Sequence, residues 1–563
     1  MTNSNHMNGA EAMVRMLQAY DVEHMFGLCG DTTLPFYDAL ARLDHGITHY
    51  LTRDERHAAY MADGYARVTG KPGVCEGPSG GGATYILPGL VEANESSIPI
   101  LAITTDVATT SAGRYPLTEL DQVALFRPVT KWNAALDNAG RLPAMVRRAF
   151  RSMTTGRPGA VHLALPFDTQ KNEVDATEVW ADPKHRKFPS EPTAPRSSDI
   201  VEAAAALRNA KSAVVICGGG PVISGAFEAV EMLAEKLDIP VATTVSGQGA
   251  IAEIAPQAVG VVGSNGGVPS TRAVVENADL VMFIGCRAGS VTTERWRCPA
   301  PGKTVIHIDS DPEVIGANYS TDVAIVADAK HALEALIAEL SLGDCPSQMG
   351  TEKAQSAWNA KFADYGPLAD SQERPIRAEA VVATLSEILD DDAIVVADPG
   401  TPCPYLSAHY RWRKSGRNFI SNRAHGALGY ALAASMGAHV GRPNAKTVAV
   451  MGDGSFGFCC GELETVVRYN MPITSIVFSN AVFGWIKAGQ NAGFGKRFYN
   501  VDFDRTDHAA VARAFGVKSW TVEDPTQLSS VLREAIAHPG PTLVDIISQP
   551  LHEAAAPVSE WVA

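Results

Sequence analysis

Ten short runs of aliphatic and β-branched residues, apolar on both faces, recur along the chain: "GVCEGP", "IPILAITT", "AVHLALP", "AVVICGGG", "IPVATTV", "LVMFIGC", "TVIHIDSD", "AIVVADPG", "TVAVMGDG" and "ITSIVFSN". Helical stretches separate them. A strand that is apolar on both sides has to be covered on both sides, which parallel sheets built from βαβ units achieve. The predicted fold class is therefore α/β, with doubly wound parallel sheets. At 563 residues the chain exceeds one hydrophobic core, so several such sheets are expected.

Two polar segments divide the chain. The first, residues 168–199, carries Pro183, Pro189, Pro192 and Pro195 and lacks periodicity; the second surrounds "SLGDCPSQMGTEKAQSAW". The predicted organisation is an N-terminal block 1–172, a linker 173–195, a central block 196–345, a linker 346–375 and a C-terminal block 376–563. Each block has the size of one doubly wound domain. The first and last blocks also share a faint likeness, a turn-rich loop after the first strand ("FGLCGDTTLPFYDAL" and "VVADPGTPCPYLSAHY") followed by a glycine-containing helix.

A net charge of −15 with no lysine or arginine cluster argues against a nucleic-acid or anionic-membrane surface, and no apolar window reaches membrane-spanning length. Nine cysteines, mostly within apolar stretches, read as buried thiols of a reducing compartment, so the expectation is a cytoplasmic protein. Cys459 and Cys460 lack zinc-ligand spacing and are expected in the core.

Residues 450–457, "VMGDGSFG", place Asp453 between Gly452 and Gly454 where an apolar run meets a helix, and Asn480 ends the next apolar run 27 positions downstream. Alone, Gly-Asp-Gly reads as a tight turn. With Asn480 it also reads as a site: the carboxyl ends of neighbouring parallel strands share one edge, where ligands bind. A carboxylate and an amide oxygen there suit a hard divalent cation such as Mg2+, and the backbone N–H groups of Gly454 and Ser455 suit phosphate oxygens.

This arrangement resembles the metal-and-diphosphate signature of thiamine diphosphate enzymes. The resemblance implies Asp453, Asn480 and the backbone carbonyl of Val482 as metal ligands, with Gly452, Gly454, Ser455, Phe483 and Gly484 in the cofactor-binding stretch. Upstream, "TRDERHAAYMADGYARVTGKPGVCEGPSGGGATYILPGL" resembles the first domain of acetohydroxyacid synthases and their pyruvate and benzoylformate decarboxylase relatives. Their helix-opening glutamate falls on Glu55, which the resemblance makes the acid beside the aminopyrimidine ring nitrogen; burial there is expected to raise its pKa. The bland alternative for Glu55 is a helix-start acid favoured by the dipole.

Further matches are "HGALGYALAASMGAH", which implies Gly426 near the 4′-amino group and Leu428 as the wedge under the bent cofactor; "DPGTPCP", with Gly400 and Thr401 near the diphosphate; and "GLCGDTTLPF", with Gly30, Asp31 and Thr32 in the loop facing the reacting carbon. In "VVICGGGPVISGAFEAV" the glycines depart from G-x-G-x-x-G and read as a close-packed strand-to-helix turn. In this family the central domain binds FAD in some members, ADP in others and nothing in the rest.

The substrate residues diverge. Where the synthases carry two arginines in the central domain, "RAGSV" keeps Arg287 and has Val291 in place of the second. Gly489 stands where they carry an acceptor-pocket tryptophan, with Trp485 and Lys487 nearby; Lys487 reads equally as an anion-holding or a solvated group. The expected function is a thiamine diphosphate- and Mg2+-dependent lyase/transferase that decarboxylates a small 2-oxo acid, or acts on a related carbonyl compound, and ligates the product to an aldehyde or ketone, as acetolactate synthases do. Simple decarboxylase, diketone C–C hydrolase, acyltransferase and flavin-dependent oxidase of the pyruvate oxidase type are the alternatives. The resemblance also implies a homodimer or homotetramer with sites at the subunit interface.

Overall fold

The structure is a computed structural model and describes residues 6–554 and 556–560. The outermost residues of the first and last predicted blocks lie outside the described residues.

The chain begins with β1 (His6–Asn8), which pairs antiparallel with the strand that later closes the first block. Between them run β2 (His24–Gly27), β3 (Thr48–Leu51), β4 (Gly73–Gly77), β5 (Ile100–Asp106), β6 (Trp132–Ala135) and β7 (Val161–Pro166), a parallel sheet in the order β3-β2-β4-β5-β7-β6. The closing strand is β8 (Glu173–Asp175). The middle sheet contains β9 (Ala213–Cys217), β10 (Val241–Thr243), β11 (Ala258–Val261), β12 (Leu280–Ile284), β13 (Thr304–Asp309) and β14 (Val323–Val326), ordered β11-β10-β9-β12-β13-β14. The last holds β15 (Ile394–Ala397), β16 (Phe419–Ser421), β17 (Thr447–Gly452), β18 (Thr474–Ser479), β19 (Lys518–Val522) and β20 (Thr542–Ile547), ordered β16-β15-β17-β18-β20-β19.

The α/β expectation is therefore realised as three parallel six-stranded sheets with flanking helices. Counted along the chain, the first and last sheets share one strand order, second-first-third-fourth-sixth-fifth, so the faint likeness between those blocks is a likeness of topology. The middle sheet follows the doubly wound order third-second-first-fourth-fifth-sixth instead.

Double winding shows in the alternation of side chains. Val215, Met282 and Ile306 face helices carrying Ile200, Leu233 and Leu333, while Val214, Val281 and Phe283 face the opposite layer with Val275 and Ala354. The glycines after β9 do the packing that the sequence suggested: a Cβ on Gly218 would lie 2.1 Å from the carbonyl oxygen of Gly285, at the end of the neighbouring strand.

Other details add to the sequence reading. The linker 346–375 is helical over most of its length, Gly350–Ala369, because its alanines, lysines and glutamate are good helix formers. In the first linker, β8 is anchored on β1 and His185 is buried between Thr154 and Ser190. Of the nine thiols Cys29 is exposed and Cys345 and Cys460 are half-buried; the other six, Cys459 included, are buried.

The described residues form two compact units, one of residues 6–191, 424–444 and 461–469, the other of 192–423, 445–460, 470–554 and 556–560. Two segments of the last block thus belong with the first. Within that unit the helix Glu55–Thr69 lies against the helix Tyr430–Gly441, and the two follow equivalent strands of their sheets, β3 and β16. Backbone meets backbone: a Cβ on Gly64 would stand 2.1 Å from the Ala434 oxygen, and one on Gly437 only 1.8 Å from the Met61 oxygen. Gly437→Ala is accordingly expected to destabilise the protein by about 2 to 3 kcal/mol, read as a lowered midpoint in denaturant. Gly461→Ala, where an added methyl meets nothing within 4 Å, is expected to change stability by less than about 0.5 kcal/mol.

Candidate active site

Strands β17 and β18 pair in parallel with Gly452 opposite Phe478, which sets their carboxyl ends side by side. Asp453 opens the helix Asp453–Cys459 directly after β17. Gly452 is extended (φ −81°, ψ 162°), so Gly-Asp-Gly is a direct strand-to-helix junction rather than the tight turn expected. One carboxylate oxygen of Asp453 accepts the backbone N–H groups of Asn480 (2.7 Å) and Ala481 (2.6 Å); the other accepts that of Gly454 (2.8 Å). The pair read from the sequence is thus in direct contact, but the Gly454 N–H, assigned there to phosphate, is held by Asp453.

Asp453 is only 6% exposed, and this burial raises its pKa although three N–H groups pull the other way. Beyond Asn480, Ala481 adopts φ +56°, a left-handed conformation that a non-glycine residue holds only where its surroundings impose it. Val482 then bridges to Asp502, and the Phe483 N–H donates to the Val501 oxygen at 2.9 Å. The side-chain Nδ2 of Asn480 is buried with no hydrogen-bond partner, which marks an amide shaped for a group beyond the protein's own atoms. Carboxylate, amide and carbonyl oxygens form a hard donor set, which fits a magnesium-sized cation. Among the described residues no group of three or more His, Cys, Asp or Glu offers a softer or purely side-chain metal site.

The neighbouring strand contributes to the same edge. Ser455 donates to Asp398, which follows β15, at 2.5 Å. Three residues on, Thr401 is buried, and its hydroxyl oxygen lies 3.4 Å from where a Cβ on Gly484 would stand. Gly400 adjoins it with open space beside its Cα, and Phe483 is partly exposed.

In the other unit Asp54 caps the helix Glu55–Thr69 by accepting the Arg56 N–H at 2.8 Å, which leaves Glu55 as its first residue. Glu55 is 6% exposed. Gly77 and Gly82 make room for it: their absent Cβ atoms would fall 3.2 Å from its Cγ and 3.0 Å from its Oε1. Burial raises its pKa, and the Asp54 and Glu76 carboxylates push the same way. The loop of Gly30, Asp31 and Thr32 is tied to this region through the Thr32 hydroxyl, 2.7 Å from that of Thr105 and 3.1 Å from that of Ser79; Asp31 itself is exposed. Gly426 has φ +76°, and Leu428 is half-buried in the loop before the helix capped by Gly429, not on a helix.

Glu76 was missed. Its buried carboxylate accepts the Tyr37 hydroxyl at 2.5 Å and stands 3.1 Å from His49 Nε2. The signal was visible as the one acid inside the apolar run "GVCEGP". Among the residues read as a substrate pocket, Arg287 is exposed, and the Val291 carbonyl accepts the Ser264 N–H at 2.8 Å. Lys487 is paired: Asp502 holds its ammonium at 2.6 Å. Trp485 lies beneath Arg423, whose guanidinium carbon is 6.0 Å from the ring centre.

Three family descriptions match in register with this geometry: "Thiamine pyrophosphate enzyme, N-terminal TPP binding domain" over residues 7–125, the central domain over 200–336, and the C-terminal TPP binding domain over 398–546. The chain is 37% identical to a probable acetolactate synthase large subunit of Methanococcus aeolicus, over 97% of this chain and 92% of that protein. The chain belongs to the thiamine pyrophosphate enzyme family. Similar relatives include the acetolactate synthase isozyme 3 large subunit of Escherichia coli (31% identical, 94% and 92% covered) and an acetolactate synthase of Mycobacterium bovis (32%, 96% and 88%). It is a thiamine diphosphate-dependent enzyme, acetolactate synthase-like and of the carboligase type.

The raised pKa of Glu55 has a consequence for stability. The folded state holds this proton more tightly than the unfolded chain, so the cost of ionising Glu55 is absent below the unfolded carboxylate pKa and grows as pH rises through the folded one. Glu55→Gln is therefore expected to raise the melting temperature of the cofactor-free protein at pH 7.5, with the gain shrinking towards zero near pH 4. An equal gain at both pH values would contradict the assignment.

Proposed function

We propose that this enzyme uses thiamine diphosphate and Mg2+ to decarboxylate a small 2-oxo acid and join the remaining acyl unit to a second carbonyl compound. The observation that carries this reading is the direct contact of Asp453 with the Asn480 backbone at the carboxyl edge of a parallel sheet, within the region matched by the C-terminal family description. The names of the relatives support the choice of carboligation.

Asp453, Asn480 and the Val482 carbonyl would hold the metal, with Ser455, Gly400, Thr401 and Gly484 beside the diphosphate. Bound thiamine diphosphate supplies a carbon nucleophile and a sink for the electron pair released with carbon dioxide. The protein's own part is to hold and move protons. Glu55, whose proton affinity burial raises, would share its carboxyl proton with the pyrimidine ring nitrogen, and its low exposure would keep water from competing there. Gly426, whose positive φ turns the chain before the Tyr430–Gly441 helix, and Leu428 would set the position of the cofactor's rings.

We also propose a homodimer or homotetramer with sites at the subunit interface. Large apolar side chains left exposed support it: Tyr115 (97%) and Leu117 (87%) in one unit, Phe494 and Tyr499 in the other. Among the described residues no helix is long and apolar enough to cross a membrane, and nine cysteines held as thiols support a reducing, cytoplasmic setting.

Product analysis by mass spectrometry across a panel of 2-oxo acids and aldehydes tests the reaction. A coupled product with stoichiometric carbon dioxide is expected, whereas free aldehyde, free acid or an acyl phosphate alone would replace carboligation by decarboxylation, diketone hydrolysis or acyl transfer. Asp453→Ala and Asn480→Ala are each expected to weaken Mg2+-dependent cofactor binding by about 100-fold, the loss of one charged or buried ligand, and Glu55→Gln to slow exchange of the thiazolium C2 proton about 100- to 10,000-fold. Unchanged binding or exchange would remove those residues from these roles.

A further inference from the structure

Arg423 is a half-buried arginine among neutral partners. Arg67, comparably enclosed, is held by Asp63 at 2.7 Å and Glu92 at 3.0 Å. Arg423 donates to the Pro399 carbonyl at 3.2 Å and faces the side-chain amide of Asn265, whose oxygen, correctly turned, lies 2.9 Å from Nη1 and 3.3 Å from Nε. Asn265 is only 1% exposed. Among the described residues no carboxylate lies within ion-pair distance of this guanidinium.

Its position is that of a ligand-binding group. Arg423 follows β16 by two residues, as Pro399 follows β15, so both stand at the carboxyl edge that carries Asp453 and Asn480. Trp485, on the helix that follows β18, supplies an aromatic face 6.0 Å away. Asn265 adjoins Ser264, whose N–H binds the Val291 carbonyl. The loop in which Val291 stands where the synthases carry a second arginine thus runs beside a guanidinium contributed from another part of the chain.

A half-buried guanidinium without a counter-ion carries part of the desolvation cost of a buried charge, which an incoming oxyanion offsets. Its planar fork matches a carboxylate in two parallel hydrogen bonds, and stacking on an aromatic ring orients the fork. The cofactor's diphosphate and a substrate carboxylate share this chemistry. The proposed function already sets Asp453, Asn480, Ser455 and Thr401 beside the metal and diphosphate, which leaves Arg423 for the substrate.

We propose that Arg423, positioned by Asn265, binds the carboxylate of a 2-oxo acid acceptor and makes the enzyme prefer oxo acid acceptors over neutral aldehydes. The inference rests on the carboligase reading above. The carboxylate held is the one the product retains, because a clamp on the departing carboxylate would stabilise charge that the transition state is losing. In the reaction the donor's bond to its carboxylate carbon breaks with release of carbon dioxide. A new bond joins the donor and acceptor carbonyl carbons, and one proton taken up ends on the acceptor oxygen as the hydroxyl of a 2-hydroxy-3-oxo acid.

The test is a competition on holoenzyme with pyruvate as donor and equal 2-oxobutyrate and propanal as acceptors, comparing wild type, Arg423→Gln and Arg423→Lys. Arg423→Gln is expected to lower the ratio of acidic to neutral product about 10- to 100-fold, the worth of a charge-assisted pair. Arg423→Lys should restore part of it, with thiamine diphosphate affinity unchanged in both. An unchanged ratio overturns the proposal, and an unchanged ratio with weakened cofactor affinity assigns the guanidinium to the diphosphate. Should wild type form no coupled product, the carboligase reading fails by itself, and calorimetric binding of oxamate, an unreactive 2-oxo acid isostere, decides on Arg423: weaker binding to Arg423→Gln supports the clamp, and equal or absent binding overturns it.

Discussion

The arrangement of the last sheet's functional edge depends on one buried carboxylate. Asp453 draws the backbone N–H groups of Asn480 and Ala481 onto a single oxygen and thereby ties the end of β17 to the chain leaving β18. The left-handed Ala481 follows from that tie, as does the bridge from Val482 to Asp502. A buried anion satisfied by fixed N–H groups costs less to keep charged than one left bare, and it remains short of full neutralisation. The proposed cation site rests on that residual charge.

A second constraint works through absence. The helices Glu55–Thr69 and Tyr430–Gly441 approach until the backbone of each fills the space a methyl group would take on Gly64 and Gly437. Both helices follow the second strand of sheets that share one strand order, so their contact joins equivalent parts of two equivalent folds. The same helix whose glycine permits this contact begins with Glu55, so helix packing and the placement of the acid are coupled.

Legibility in the sequence followed burial. All ten apolar runs became interior strands, because strands covered on both faces keep no polar side to dilute the signal. The six edge strands were not among them: β3 reads "THYL", β6 "WNAA" and β19 "KSWTV", each partly wet and carrying polar residues accordingly. The site divided along a similar line. Asp453 and Asn480 were legible because a fixed spacing across a strand-helix-strand unit is written in one stretch of chain. Glu76, Arg423 and the pairing of Lys487 with Asp502 were not, since each takes its meaning from partners brought in by other elements.

The sequence by itself determined the α/β class, the cofactor and the residues at the ends of β17 and β18, because local patterning and short spacing carry that information. Only the tertiary structure decided how the carboxyl groups are held. It put Glu55 in a pocket that two glycines leave open and set three N–H groups on Asp453. It also left Arg423 with neutral partners at the carboxyl edge of the last sheet. Burial and the choice of counter-charge are properties of packing between distant segments, and no single stretch of chain specifies them.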